Sequence, residues 1–131
     1  MTYLCLRTDT PVAQLSLYSS SGVQLATTSW EAGRSLAKEL LGVIETFLHD
    51  NDHSWESLDG LVVYEGPGSF TGLRISITVA NTIAYAQHLP IIGETDETWN
   101  EIGVRRLIAG ENDQIVLPLY GAEPRITIAR K

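Results

Sequence analysis

Residues 66–74 read GPGSFTGLR and stand between a short apolar run, 61–64, and a long apolar stretch, 71–87. Three glycines and one proline within seven positions make a tight, stiff turn whose backbone can approach another group closely. The chain must therefore fold here as a strand entering a helix, and helix N-termini of this kind bind phosphate in nucleotide-binding folds. Spacing decides against the two common versions. A phosphate loop needs lysine and then Ser or Thr after its last glycine, whereas Gly72 is followed by Leu73 and Arg74. In a dinucleotide fingerprint counted from Gly66, Thr71 stands where the third glycine belongs. What remains is a loop of Gly66, Pro67, Gly68, Ser69, Thr71 and Gly72 with amides for an anion or a partner's carboxylate, and Ser69 or Thr71 as expected cap. Arg74 falls in the first turn, where a cation opposes the helix dipole by about 0.3–1 kcal/mol, so an acidic partner is expected for it. The plainer alternative is a structural turn with a surface arginine.

Apolar and alternating patterns predict strands over 3–8, 12–18 and 23–29, joined as an antiparallel meander and broken by Thr10–Pro11 and by Ser19, Ser20, Ser21 and Gly22. A first helix is predicted over 34–49, with Leu36, Leu40, Val43, Ile44 and Phe47 on one face and Leu41 and Leu48 widening it. The run 61–64 reads as a strand covered on both faces. The second helix, 71–87, carries Ser76, Ala80 and Ala84 as a small-residue stripe. Its β-branched residues, Ile75, Ile77, Val79 and Ile83, need burial to hold a helix. The combined width of the two helices predicts an interface through Leu36, Leu40, Leu41, Val43, Ile44, Phe47, Ser76, Ile77, Ala80, Ile83 and Ala84. Packing of both helices on the sheet is the plain alternative.

The chemistry-bearing residues form no recognisable catalytic set. Sixteen acidic against nine basic residues give a net charge of −7, the wrong sign for a strong nucleic-acid binder. The single Cys5 lies in an apolar strand and reads as a buried thiol. His49 and His53 have metal-ligand spacing, but Asp50, Asn51 and Asp52 interrupt the helix between them. No metal site and no cofactor is expected. Glu94, Asp96, Glu97 and Glu101 read as an acidic helix start, with paired carboxylates for acid–base work as the alternative, and Arg105 and Arg106 fall near that helix's end. Residues 115–120 and 125–129 are β-prone. No leader or membrane-spanning run is visible, so a cytoplasmic protein is expected.

GPGSFTGLR, the apolar helix after it and Leu89–Pro90–Ile91–Ile92–Gly93 resemble the TsaB family, also called YeaZ, whose members read GPGSFTGLR, a helix and IPLVG. Residues 4–10, LCLRTDT, are similar to that family's opening LALDTST, and residues 117–124, LPLYGAEP, to its tail PLYLREP. The resemblance implies an α/β fold, the ribonuclease H-like N-terminal lobe of the actin-like ATPase superfamily, with a mixed five-stranded sheet and a short C-terminal β tail. Residues 1–108 would form the lobe and 109–131 a tail packing on it, with only 103–113 where the family has a second lobe. It further implies a non-catalytic subunit that pairs through both helices with TsaD, which modifies the adenosine beside the tRNA anticodon. TsaE would join the complex, and tRNA would be met only indirectly. Arg7 stands where the family has an aspartate near nucleotide, and the residues after the second helix lack TsaD's metal histidines. The competing reading is a small nucleotide-binding or hydrolytic enzyme that uses GPGSFTG, as a homodimer.

Overall fold

The computed structural model describes residues 1–119. Strands β1 (Thr2–Arg7), β2 (Val12–Ser19) and β3 (Gln24–Glu31) form the meander, followed by a 3-10 turn and helix α1 (Leu36–Asp50). Strand β4 (Gly60–Tyr64), helix α2 (Phe70–Gln87), strand β5 (Ile91–Glu94) and helix α3 (Trp99–Ile108) complete the order. The sheet runs β3-β2-β1-β4-β5. Its first two junctions are antiparallel and the two junctions involving β4 are parallel, with Cys5 opposite Val62 and Val62 opposite Ile92.

Both faces of the central strands are covered, which is why β4 is apolar throughout and buried at all five positions. α2 packs on β4 and β1, and α1 on α2. On the opposite face α3 comes so close that a Cβ on Gly103 would strike the Val62 side chain, while the Leu107 and Tyr3 side chains both close on Gly60. α1 buries Leu36, Leu40, Ile44, Phe47 and Leu48, the stripe its 3.6-residue period prescribes. α2 ends at His88 in the left-handed conformation (φ 56°), and the Leu89 N–H returns to the Ala84 carbonyl at 2.8 Å.

β3 starts at Gln24 rather than Val23 because Val23 closes the hairpin, its carbonyl accepting from the Ser19 N–H at 2.9 Å. α1 begins at Leu36, after the 3-10 turn Gly33–Ser35 takes the residues expected as its first turn. The β segment expected over 115–120 is not formed in its described part. Residues 115–119 are irregular and are held by isolated hydrogen bonds to Asn81 and Glu65, while the bonds to β5 come from Asn112 and Asp113. The second expected β segment, 125–129, lies outside the described residues.

Two glycines on helices make opposite predictions. A Cβ on Gly72 would run into the Thr8 carbonyl oxygen, so Gly72→Ala should cost about 1–3 kcal/mol in urea unfolding. Gly42, on α1, has open space around it, and Gly42→Ala should gain about 0.5–1 kcal/mol in the same assay.

Candidate functional site

The C-terminal ends of β1 and β4 meet at one edge of the sheet, where the chain leaves β1 into the Thr8–Asp9 turn and β4 into the glycine loop. Open α/β sheets bind ligands at such an edge. Here the loop is seated on the turn. Thr8, 1% exposed, donates its hydroxyl to the Gly72 carbonyl at 2.7 Å, and the Ser69 N–H donates to the Asp9 carbonyl at 3.1 Å. Gly68 lies against the Asp9 side chain, and Tyr64 donates its hydroxyl to the Pro67 carbonyl at 2.9 Å. Gly66 has φ +120°, and a Cβ there would strike the Leu119 carbonyl oxygen. The glycines are thus explained by backbone packing within the chain.

Arg7 closes the same edge. Its Nε and Nη2 donate to the two carboxylate oxygens of Asp9 at 2.6 and 3.0 Å, and its guanidinium lies 3.9 Å from the centre of the Tyr64 ring. Tyr64 in turn meets Trp99 edge to face, with centroids 5.9 Å apart. The hydrogen bond to Asp9 raises the Arg7 pKa, and desolvation raises that of Tyr64. A cation held bidentately by its own carboxylate stands where the resemblance leads one to look for a metal-facing acid.

Several of the remaining predicted residues are placed differently from expectation. Ser69 is the N-cap of α2 but makes no side-chain cap bond, its hydroxyl not being turned to the helix amides. Arg74 has no acidic partner among the described residues; its guanidinium lies 5.4 Å from the centre of the Phe70 ring, one turn earlier on the same face. Of the predicted interface, Leu36, Leu40, Ile44, Phe47, Ser76, Ile77, Ala80, Ile83 and Ala84 are buried inside the lobe. Val43 is half-buried and Leu41 is 54% exposed. The small-residue stripe serves packing within the chain, and what the two helices show to solvent is their other side. His53 faces the Ser57 hydroxyl at 3.2 Å, and the described residues contain no metal-ligating cluster. Cys5 is buried, and burial pushes its thiol well above the ordinary range.

The acidic residues after α2 are divided. Glu94 ends β5, and α3 begins only at Trp99. Arg106, expected merely to favour the helix end, is the centre of a network: it pairs with Glu94 at 2.8 Å, Glu111 at 2.7 Å and Asp113 at 2.7 Å. The acids at five and seven residues beyond it were the available signal, but a linear pattern does not tell a tertiary clamp from a solvated face.

A family model described as "TsaD: tRNA N6-adenosine threonylcarbamoyltransferase" matches residues 30–96, just over half of the chain. A tRNA threonylcarbamoyladenosine biosynthesis protein TsaB of Bacillus subtilis (strain 168) is 42% identical over 48 residues, covering 37% of this chain and 21% of that protein. The solved YeaZ from Pseudomonas aeruginosa is 29% identical with TM-score 0.65, covering 72% of this chain and 44% of that one. RuvC of T. thermophilus, solved in complex with Holliday junction substrate, shares the fold at 13% identity and TM-score 0.50, over 95% of this chain and 83% of that one. The mixed five-stranded sheet and its covering helices are those of the ribonuclease H-like, actin-like ATPase class. Within it, the chain belongs to the TsaB (YeaZ) family of tRNA threonylcarbamoyladenosine biosynthesis proteins. It spans less than half the length of these family relatives.

Glu65 gives the region a pH signature. Burial, then the charges of Asp113 and Glu94, raise its pKa above the ordinary carboxylate value. Between the unfolded and folded values the native state holds the extra proton, so stability falls as pH rises through that window. Glu65→Gln should remove this fall, giving a flatter urea-midpoint profile across that window and a more stable protein at pH 7.

Proposed function

We propose that this chain acts as a non-catalytic partner subunit in tRNA threonylcarbamoyladenosine formation, docking on a tRNA N6-adenosine threonylcarbamoyltransferase through the outer faces of α1 and α2. The observation that carries the reading is the surface these helices leave open: Ala37, Thr71, Ile75, Thr78 and Val79 with Arg74 line one groove, and Leu41, Gly42, Thr82, Ile83 and Ala86 with Glu45, Trp55 and Gln87 line a second. Small and apolar side chains on two adjacent helices let a partner's helices approach closely. The family membership supports the choice of partner. The Arg7–Asp9 pair supports a non-catalytic role, because both groups satisfy each other at the edge where a nucleotide-binding lobe would receive a ligand. An ATPase of the TsaE kind would join the same cytoplasmic complex. With a net charge of −7, the chain leaves tRNA contact to its partners.

The test is co-purification with the transferase, read by light scattering and calorimetry. Gly42→Glu places a carboxylate in open space and leaves the core untouched, and Leu41→Glu alters an exposed side chain. Each should weaken the heterodimer at least tenfold with little change in unfolding midpoint. Association unchanged by both variants overturns the α1–α2 assignment. Tight binding of ATP and magnesium by the isolated chain, with turnover, overturns the non-catalytic reading in favour of a small nucleotide-hydrolysing enzyme.

A further inference from the structure

β5 is an edge strand, and an open edge invites pairing with another strand. Here that edge is closed by residues that do not form a strand. The Ile91 N–H donates to Asn112 Oδ1 at 3.0 Å, and the Ile91 carbonyl accepts from the Asp113 N–H at 2.8 Å. The Gly93 N–H donates to Asp113 Oδ2 at 2.9 Å, and the Gly93 carbonyl accepts from Arg106 Nη1 at 3.4 Å. Two side-chain oxygens, one backbone amide and one guanidinium thus imitate a neighbouring strand.

Among the described residues, the segment that supplies this imitation has few other attachments. Val116 is its one buried apolar side chain among residues 111–119, seated over Gly93. The Asn81 side-chain amide holds both backbone groups of Val116, donating to its carbonyl at 2.9 Å and accepting from its N–H at 3.0 Å. The Leu119 N–H donates to the Glu65 carbonyl at 2.6 Å. Ile115, Leu117 and Leu119 all face solvent, at 67, 72 and 50% exposure. Local openings begin where apolar burial is thin and bonds are isolated.

We propose that residues 111–119 form a strap that opens on its own, ahead of the rest of the lobe, with Arg106 as its latch, and that its opening frees the β5 edge for strand pairing. Among the described residues, Arg106 is the only cation in the clamp. From α3 it binds two acids of the strap, Glu111 and Asp113, and one of β5, Glu94. Glu65, at the end of β4, adds a further carboxylate beside Asp113 and Glu94. One guanidinium therefore holds the strap closed against the mutual repulsion of the carboxylates around it. Without the guanidinium, that repulsion drives Asp113 off Gly93, and the strand imitation fails.

Amide hydrogen exchange on the full chain tests this. In the unaltered protein the amides of Ile91, Gly93, Asp113, Val116 and Leu119 should exchange as one group, at least tenfold faster than those of β1 and β4. Arg106→Gln should accelerate that group at least tenfold further with β1 and β4 unchanged, and should make the protein self-associate with rising concentration in light scattering. Glu65→Gln, which removes repulsion, should slow the group. Exchange of the strap at the rate of β1 and β4, or acceleration of all amides alike by Arg106→Gln, overturns the independent strap. Faster strap exchange without self-association overturns the role of the strap in closing the β5 edge.

Discussion

The seating of the glycine loop on the Thr8–Asp9 turn fixes where everything else lies, because it is a contact of backbone with backbone. Gly72 at the start of α2 touches the Thr8 carbonyl, and the Thr8 hydroxyl reaches the Gly72 carbonyl. No side chain can intervene, so the distance between the β1 turn and the first turn of α2 has almost no freedom. That distance sets the angle at which α2 crosses β4 and β1, and α1 packs on α2. Gly68 and the Ser69 amide repeat the contact one turn earlier, so the junction is held at two points.

A consequence follows for chemistry. Backbone amides at a helix N-terminus are an anion site only while they point at open space. Here the Ser69 amide is spent on the Asp9 carbonyl, and the residue opposite the loop is Arg7, neutralised by Asp9 in bidentate geometry. Such a charge-assisted pair is stiff and self-sufficient. The pair is also braced from the side, joined through Tyr64 to Trp99 and so to α3 on the far face.

Local pattern carried the fold far because each element has a strong period. The burial of β4 on both faces and the stripe of α1 are visible in Leu61 to Tyr64 and in the spacing of Leu36, Leu40, Ile44 and Phe47. Which side of α2 stays open to solvent was not legible. Ser76, Ala80 and Ala84 have the spacing of an interhelical contact, but spacing is identical whether the neighbouring helix belongs to the same chain or another, and here they are buried within the lobe. The arginines failed for a related reason. Arg74 and Arg106 occupy similar dipole positions in mirror image, yet one lies over Phe70 and the other gathers Glu94, Glu111 and Asp113. A side chain this long takes its partner from tertiary geometry, which periodicity does not encode.

The same limit explains the segment after α3. Its β-prone composition, Ile115 to Leu119, suggested a strand, and the edge of β5 was free to receive one. A strand there would need an uninterrupted ladder, but Asp113 and Asn112 reach the Ile91 and Gly93 backbone groups first, with Arg106 fixing Asp113. Short polar side chains compete with ladders for backbone donors and acceptors wherever they sit two or three atoms from them. The competition leaves Val116 alone to be buried and turns Ile115, Leu117 and Leu119 outward, so the alternation that reads as a strand in sequence becomes one plug and three exposed side chains in space. Arginine and aspartate thus recur at both places: beyond β1 and β4 Arg7 and Asp9 satisfy each other, and along β5 Arg106 and Asp113, with Asn112, occupy the position of a strand.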